Sequence, residues 1–307
     1  MNTDKASIGH FFQELQADIC DQISATDGKG KFEIDEWRHA KGGGGKSRLL
    51  QNGIVLEKAG VNFSAVEGPA PDGLLKTLEI DNTRSDDLNF FATGVSIVMH
   101  PSSPIVPIIH MNVRYFELSN GTYWFGGGID LTPHIVDKEQ AQYFHQQIKN
   151  VCDSHDIEYY PKFKKWADDY FYLPHRNETR GVGGIFFDRL SDDDQHTKEE
   201  IFSFVKDVGN LFAPVYSHLM EINRDKSFSE QHKKWQYLRR GRYVEFNLVW
   251  DRGTKFGLQT NGRTESILMS MPPQANWAYD YQAEKDFEKE TVALLKKEVD
   301  WLSLKSR

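Results

Sequence analysis

Two cysteines, Cys20 and Cys152, are all that the 307 residues contain, and no Cys-x-x-Cys pair occurs. That count excludes a disulfide framework and suits a reducing compartment. No segment reaches the ~18 uninterrupted apolar residues that a membrane helix needs, so no transmembrane span is expected. The opening stretch, Met1 to Gln16, carries Asp4, Lys5, His10 and Glu14 and has no apolar core. A signal peptide is therefore not expected, and a cytoplasmic location is. An excess of positive charge is also missing: 37 Lys and Arg against 45 Asp and Glu leave a net −8. That balance argues against a dedicated nucleic-acid binder, although a local basic patch can still hold an acidic ligand. Aromatic surface is plentiful. The 20 Phe, 12 Tyr and 7 Trp provide the buriable area that a disordered chain lacks.

Apolar residues recur at helical spacing over residues 8–23 (Ile8, Phe11, Phe12, Leu15, Ile19, Ile23), an amphipathic helix. Residues 54–56 and 61–66, separated by Lys58-Ala59-Gly60, read as a hairpin. Residues 90–100, 105–117 and 122–131 read as long strands, with Pro101, Pro104 and Pro107 at a join. Helices are expected at 137–152, 161–172, 198–222, 231–239 and 284–304. Further strands are expected at 183–187, 243–250, 255–259 and 266–271. Strands joined by short turns, with helices in separate blocks, give an α+β class around a mostly antiparallel sheet. Neither a repeat nor a low-complexity linker divides the chain, so a single domain over 1–307 is expected.

Two familiar patterns fail on context. Ala40-Lys-Gly-Gly-Gly-Gly-Lys46-Ser47 resembles a phosphate loop with its first glycine replaced. A phosphate loop needs a buried strand before it and a long helix after it. Charged residues precede this one, and Asn52-Gly53 interrupts the chain shortly after it. The glycines are better read as sites of close backbone approach. Eleven histidines suggest zinc, yet there is no His-Glu-x-x-His, and His100, His110, His145 and His175 stand far apart. They make a metal site only if the fold gathers them.

Period-two alternation places His110, Asn112, Arg114 and Phe116 on one strand face, and Gly94, Ser96, Val98 and His100 on one face of the strand before it. Met111, Val113 and Tyr115 take the other face, which can be buried. Polar groups this dense on a sheet interior are costly unless they serve a ligand, about 1–3 kcal/mol for each left unpaired. Asp130 follows Gly126-Gly-Gly128 at a strand end, where a ligand can approach the backbone, although a turn-capping Asp fits equally well. Two arginines four apart, Arg176 and Arg180, read as an anion clamp or as a solvated pair with Glu178. Lys233, Lys234, Arg239, Arg240 and Arg242 form a basic run, and Asn261-Gly262-Arg263 is a turn carrying another arginine. Together these describe a pocket for a large, flat ligand with several carboxylates.

The same stretches resemble the aerobic, oxygen-dependent coproporphyrinogen III oxidases. The likeness runs through Gly42-Gly-Gly-Gly-Lys-Ser-Arg48, His110-Met-Asn-Val-Arg-Tyr-Phe-Glu117, Trp124-Phe-Gly-Gly-Gly-Ile-Asp-Leu-Thr-Pro133 and Gly183-Gly-Ile-Phe-Phe-Asp188. It continues in Arg239 to Thr254 and Gly257 to Pro273, and covers most of the chain from about Gly42 to Tyr281. The resemblance implies a single-domain α+β fold, a large flat antiparallel sheet flanked by helices on both sides. It implies conversion of two propionates of coproporphyrinogen III to vinyl groups, with O2 as co-substrate and no organic cofactor. By the same resemblance His110 and Asp130 are catalytic, and Ser96, Asn112, Val113, Arg114, Arg176, Arg180, Asn261, Gly262 and Arg263 contact substrate. His100, His110, His145 and His175 match proposed ligands of a divalent metal, and whether a metal is needed stays open. A homodimer through about Tyr243 to Ala278 is implied as well. Asp130→Ala is expected to lose turnover with the fold largely kept, because the neighbours of Asp130 in the chain are mostly glycines.

Overall fold

In the computed structural model of the chain, residues 3–40, 42–70, 88–259 and 262–304 are described. Alternation along two long strands, β4 (Asn89–Pro101) and β5 (Ile108–Leu118), sets the architecture. Val95, Ile97, Met99, Ile109, Met111, Val113 and Tyr115 are buried on one face, while Ser96, Asn112 and Arg114 on the other are only half-buried. The two strands join β1 (Glu33–Arg38), β2 (Gly43–Gln51), β3 (Leu56–Pro69), β6 (Tyr123–Thr132) and β9 (Gly183–Leu190). The resulting sheet is seven-stranded, in the order β1-β2-β3-β4-β5-β6-β9, with every neighbour antiparallel. Two residues each of β7 (Tyr172–Leu173) and β8 (Glu178–Thr179) form a separate small pair.

The apolar face packs under α1 (Lys5–Asp27), α2 (Lys138–Asp153), α3 (Tyr159–Tyr170) and α4 (Lys198–Glu221). Phe12, Leu15 and Ile19 of α1, Phe144 and Ile148 of α2, Phe163 of α3 and Val208 and Phe212 of α4 meet the strand residues there in one core. Each such side chain contributes about 1.5–3 kcal/mol on burial. Local signals bound these helices. Asp4 caps α1 by accepting from Ser7 N at 2.8 Å, and Gly28 ends it at φ +86°. Thr197 and Glu200 form a capping box on α4.

The polar face is crossed by α5 (Glu230–Glu245), a π-helical turn (Phe246–Trp250), α6 (Arg252–Gln259) and α7 (Thr264–Leu268); α8 (Asp286–Leu294) follows. Met269 fills the space over Gly60, where a Cβ would lie 2.0 Å from its sulfur. Asn62 Nδ2 donates to Ser266 O at 2.8 Å, and Lys58 Nζ to Met271 O at 2.8 Å. Helices therefore cover both faces, as expected. Among the described residues no helix is long and apolar enough to cross a membrane.

Three expected strands are helical instead. Residues 243–250 continue α5 into the π-turn, while 255–259 and 266–271 fall in and around α6 and α7. The buried stripe of α5 runs Trp235, Gln236, Arg239, Arg240, Tyr243. Two of its members are arginines, so a hydrophobicity pattern does not register the helical period. Residues 54–66 are not a hairpin either: Lys58, Ala59 and Gly60 lie inside β3, and its hairpin partner is β2. The glycine-rich stretch belongs to β2, behind an exposed edge strand and before another strand, which removes the phosphate-loop reading. The closing helix is shorter than 284–304, ending at Leu294.

Candidate active site

Strand register assembles the polar face in rows. One row runs Ser47, Asn62, Ser96, Asn112, Gly128, Phe186 from β2 to β9, and the next runs Gly60, Val98, His110, Asp130, Gly184. A third carries Gly94, Arg114 and Gly126. Gly126 is required by a close crossing: its Cβ would sit 2.8 Å from Arg114 Nε and 2.6 Å from Asp188 Oδ1. Removing that Cβ lets the Arg114 side chain lie flat on the sheet and reach Asp188. The same flatness suits a planar ligand.

Asp130 is at the centre of the chemistry. It is 2% exposed, and Oδ1 lies 2.8 Å from His110 Nδ1 while Oδ2 accepts from Arg180 Nη2 at 2.7 Å. Burial alone raises its pKa, but the charge of Arg180 and the hydrogen bonds from His110 and Arg180 outweigh that and hold it below the ordinary carboxyl value. Asp130 is therefore a carboxylate, an acceptor only, and His110 donates to it through Nδ1–H. His110 Nε2 remains for a ligand, and the side chain is 24% exposed. The arrangement is a carboxylate–imidazole pair able to accept an N–H and to move a proton.

Arg114 donates to Asn112 Oδ1 at 2.7 Å and to Asp188 Oδ1 at 2.8 Å, and its side chain is 37% exposed. Arg263 donates to Ser47 Oγ at 3.2 Å and pairs with Asp35 on the β1–β2 edge of the same face. Ser47 and Asp130 stand four strands apart, roughly 19 Å at the usual strand spacing. Asp130, Arg114 and Arg263 thus share one surface of macrocycle dimensions, with Ser96 and Asn112 between them and Gly262 in the turn before Arg263. Asn261 lies outside the described residues.

Other expected site residues are placed differently. The Val113 side chain is 0% exposed in the core on the opposite face, so it cannot line the polar one. Arg180 is buried as the counter-ion of Asp130 rather than open as a carboxylate clamp. Arg176 is held by both oxygens of Glu245, at 2.8 and 2.6 Å, and His175 Nε2 donates to the same carboxylate at 2.8 Å. Burial works against ionisation of Glu245, but these partners and Arg242 hold its pKa at about 2. Arg176 and His175 therefore form a cluster at the end of α5.

The four histidines do not form one metal centre. Both His145 nitrogens are used, by Tyr160 Oη at 3.0 Å and Val182 O at 2.9 Å, inside the helix layer of the apolar face. His100 donates Nε2–H to Ser270 O at 2.8 Å, and burial and Arg240 keep its pKa at about 3. Among the described residues no group of three or more His, Cys, Asp or Glu is placed to hold a metal. Sequence reasoning gave no role to Asn247, which accepts from Arg180 Nη1 at 2.7 Å. It also missed Asp188, although parity with Gly184 and Phe186 puts it on the polar face. A cleft of about 680 Å³ lies on the other side of the sheet, between α1 and β1–β2. Two of its cations, Lys5 and Lys46, are already paired with Glu67 and Glu36, so the chemistry favours the Asp130 face.

The family of coproporphyrinogen III oxidases matches residues 7–301. The chain belongs to that family. It is 48% identical over 294 residues to coproporphyrinogen-III oxidase 1, chloroplastic, of Arabidopsis thaliana, covering 92% of this chain and 75% of the plant protein. It is 48% identical over 299 residues to the human oxygen-dependent coproporphyrinogen-III oxidase, mitochondrial, covering 94% of this chain and 65% of the human protein. Family membership agrees with the likeness read from the Trp124–Pro133 and Arg239–Thr254 stretches, which carry Asp130 and the π-turn.

Proposed function

We propose that the chain oxidatively decarboxylates two propionates of coproporphyrinogen III, giving protoporphyrinogen IX. Each step converts one propionate, one O2 and one proton into a vinyl group, CO2 and H2O2. The observation that carries this reading is the Asp130–His110 pair on neighbouring strands β6 and β5, on a face that carries Gly126 and Gly128 and also bears Arg114 and Arg263. Asp130 accepts pyrrole N–H bonds and raises the electron density of the ring toward O2; in net the two electrons that reduce O2 to H2O2 come from the propionate, and the ring ends at the oxidation level at which it began. His110 moves the proton, and Arg114 and Arg263 hold acidic side arms as charged, oriented donors. Ser96 and Asn112 contact the macrocycle between them. No organic cofactor and no metal enters this scheme.

Aerobic and anaerobic incubation with coproporphyrinogen, followed by chromatography of the oxidised products, tests it. Three- and then two-carboxylate products are expected only with O2, and unchanged by a chelator. Binding without turnover would leave a tetrapyrrole carrier. Activity lost on chelation and restored by one metal would leave a metal oxidase. Within this reading Arg114→Ala loses about 1.5–3 kcal/mol of substrate interaction, the scale of a charged hydrogen bond, measured as kcat/KM. Unchanged kcat and KM would remove Arg114 from substrate binding.

The reading includes a homodimer through about Tyr243 to Ala278. Large apolar side chains in that span are exposed, among them Leu248, Val249, Trp250, Leu258 and Trp277 at 40–54%, a pattern that favours a covered surface. Leu248→Asp is expected to convert a particle of twice the chain mass into a single chain in light scattering. A wild-type monomer at working concentration would overturn it. A cytoplasmic location is also part of the reading, supported by two buried free cysteines that suit a reducing compartment. Cell fractionation tests it.

A further inference from the structure

The inward-facing residues of the π-helical turn after α5 have no role in the chemistry so far. Asp251 N donates to Phe246 O at 2.9 Å, the long-range bond that widens the turn. Two consecutive residues of the turn point inward. Phe246 and Asn247 are buried at 0% and 4%, whereas Leu248, Val249 and Trp250 are exposed. Both inward residues meet Arg180: the Phe246 ring lies 4.7 Å from the guanidinium carbon, and Asn247 Oδ1 accepts from Nη1 at 2.7 Å. Phe171 and Tyr243 close the box at 4.4 and 4.8 Å. The rings fix the plane of the guanidinium but permit rotation within it. The Asn247 oxygen removes that rotation and leaves Nη2 on Asp130 at 2.7 Å.

We propose that Asn247 is a positioning residue that orients Arg180 on Asp130 and so fixes the carboxylate against the substrate face. The proposal rests on the role given to Asp130 under the proposed function. Asn247 reaches Asp130 through Arg180, to which it is hydrogen-bonded. Phe246 and Asn247 are both members of the π-turn. The turn is accordingly the device by which one short segment supplies the ring and the acceptor together.

Two substitutions separate orientation from packing. N247L keeps the volume and removes the acceptor; N247D keeps an acceptor for the same Nη1. In steady-state turnover of coproporphyrinogen, N247L is expected to lose on the order of tenfold to a hundredfold in kcat, the effect of a misplaced reacting group, with KM nearly unchanged. N247D is expected to retain most of kcat. Exchange of the Arg180 side-chain N–H signal with solvent, assigned by its loss in R180K and followed by nitrogen NMR, is expected to be slow in wild type and N247D and fast in N247L. This second readout needs no substrate. A wild type that never turns over therefore overturns the functional reading, while the exchange rates still decide whether Asn247 holds Arg180. Wild-type kcat in N247L overturns the proposal. So does equal loss in N247L and N247D with equal falls in thermal midpoint, because the role is then packing alone.

Discussion

Replacing Asp130 with alanine is expected to abolish turnover and to loosen the fold as well. The second effect corrects the expectation from its glycine neighbours, because the partners that matter come from elsewhere in the chain. Arg180 is 3% exposed and its nearest counter-ion is Asp130, at 2.7 Å. Removing the carboxylate leaves a buried guanidinium charge uncompensated, at a cost of about 3–5 kcal/mol. Asp130→Asn is the cleaner probe. It keeps the shape and one acceptor oxygen but loses the charge, so a fall of about 10²–10³ in kcat is expected, on the scale of removing one preorganised electrostatic group. The thermal midpoint should fall less than in Asp130→Ala. Pairing Asp130→Asn with Arg180→Gln removes both charges and should recover midpoint but no turnover, since the stability cost and the chemical cost have separate origins. Near-normal kcat in Asp130→Asn would take Asp130 out of the mechanism.

The long strands were legible because their two faces differ in kind. From Val95 to Met99 in β4 and from Ile109 to Tyr115 in β5 every second residue is large and apolar, and the register then aligns Ser96 with Asn112 and Val98 with His110. Parity alone was enough to assign the polar face. Legibility failed in the layer covering that face. Residues 243–250 alternate like a strand, yet they fold as helix and π-turn because Arg239 and Arg240 occupy the buried stripe. Arg239 is stabilised there by Glu178 at 2.9 Å and Arg240 by Glu57 and Pro101 O at 2.8 Å. Such partners are remote in sequence, and no hydropathy pattern carries them.

The site divides along the same line. Of the candidate site residues on strands, His110, Asn112 and Arg114 were placed by alternation, while Asp130 after its glycines read equally as a turn cap and was singled out by the family likeness. Charged residues outside the sheet could be named but not assigned a direction. Arg180 turns inward to a carboxylate, while Arg176, four residues earlier, is held by Glu245 at the end of α5. Sequence spacing fixes neither outcome, because Arg180 depends on Asp130 in β6, 50 residues earlier, and Arg176 on Glu245 of α5, 69 residues later. Histidine count left the metal question open for a related reason. His100 and His145 are fully buried and hydrogen-bonded to main-chain oxygens of other elements, so their presence reports packing rather than ligation.

The largest stability effect outside the site is expected at Asp27, the last residue of α1. Its fully buried carboxylate accepts five main-chain N–H groups. Oδ1 takes those of Gly30 at 2.7 Å, Ile54 at 3.0 Å and Lys29 at 3.3 Å, and Oδ2 takes those of Val55 and Leu56, both at 2.9 Å. One side chain thereby fastens the end of α1 to the entry of β3. Asp27→Ala strands several buried donors at once, and a loss of about 3–5 kcal/mol is expected, at the upper end for single substitutions. Asp27→Asn should cost nearly as much, because its NH2 group confronts donors where a carboxylate oxygen accepted. Burial raises the pKa of Asp27, but the N–H groups of Leu56, Gly30, Ile54 and Val55 outweigh it and hold the carboxyl below its ordinary value. A depressed folded-state pKa stabilises fully above the ordinary carboxyl range, and that contribution is lost as pH falls through the folded value. The stability gap between wild type and Asp27→Asn should therefore be widest near neutral pH and shrink in acid. Denaturant titrations of both proteins across that range measure it. A gap that does not change with pH, or an Asp27→Ala cost below about 1 kcal/mol, would show that α1 is fastened by its apolar stripe alone.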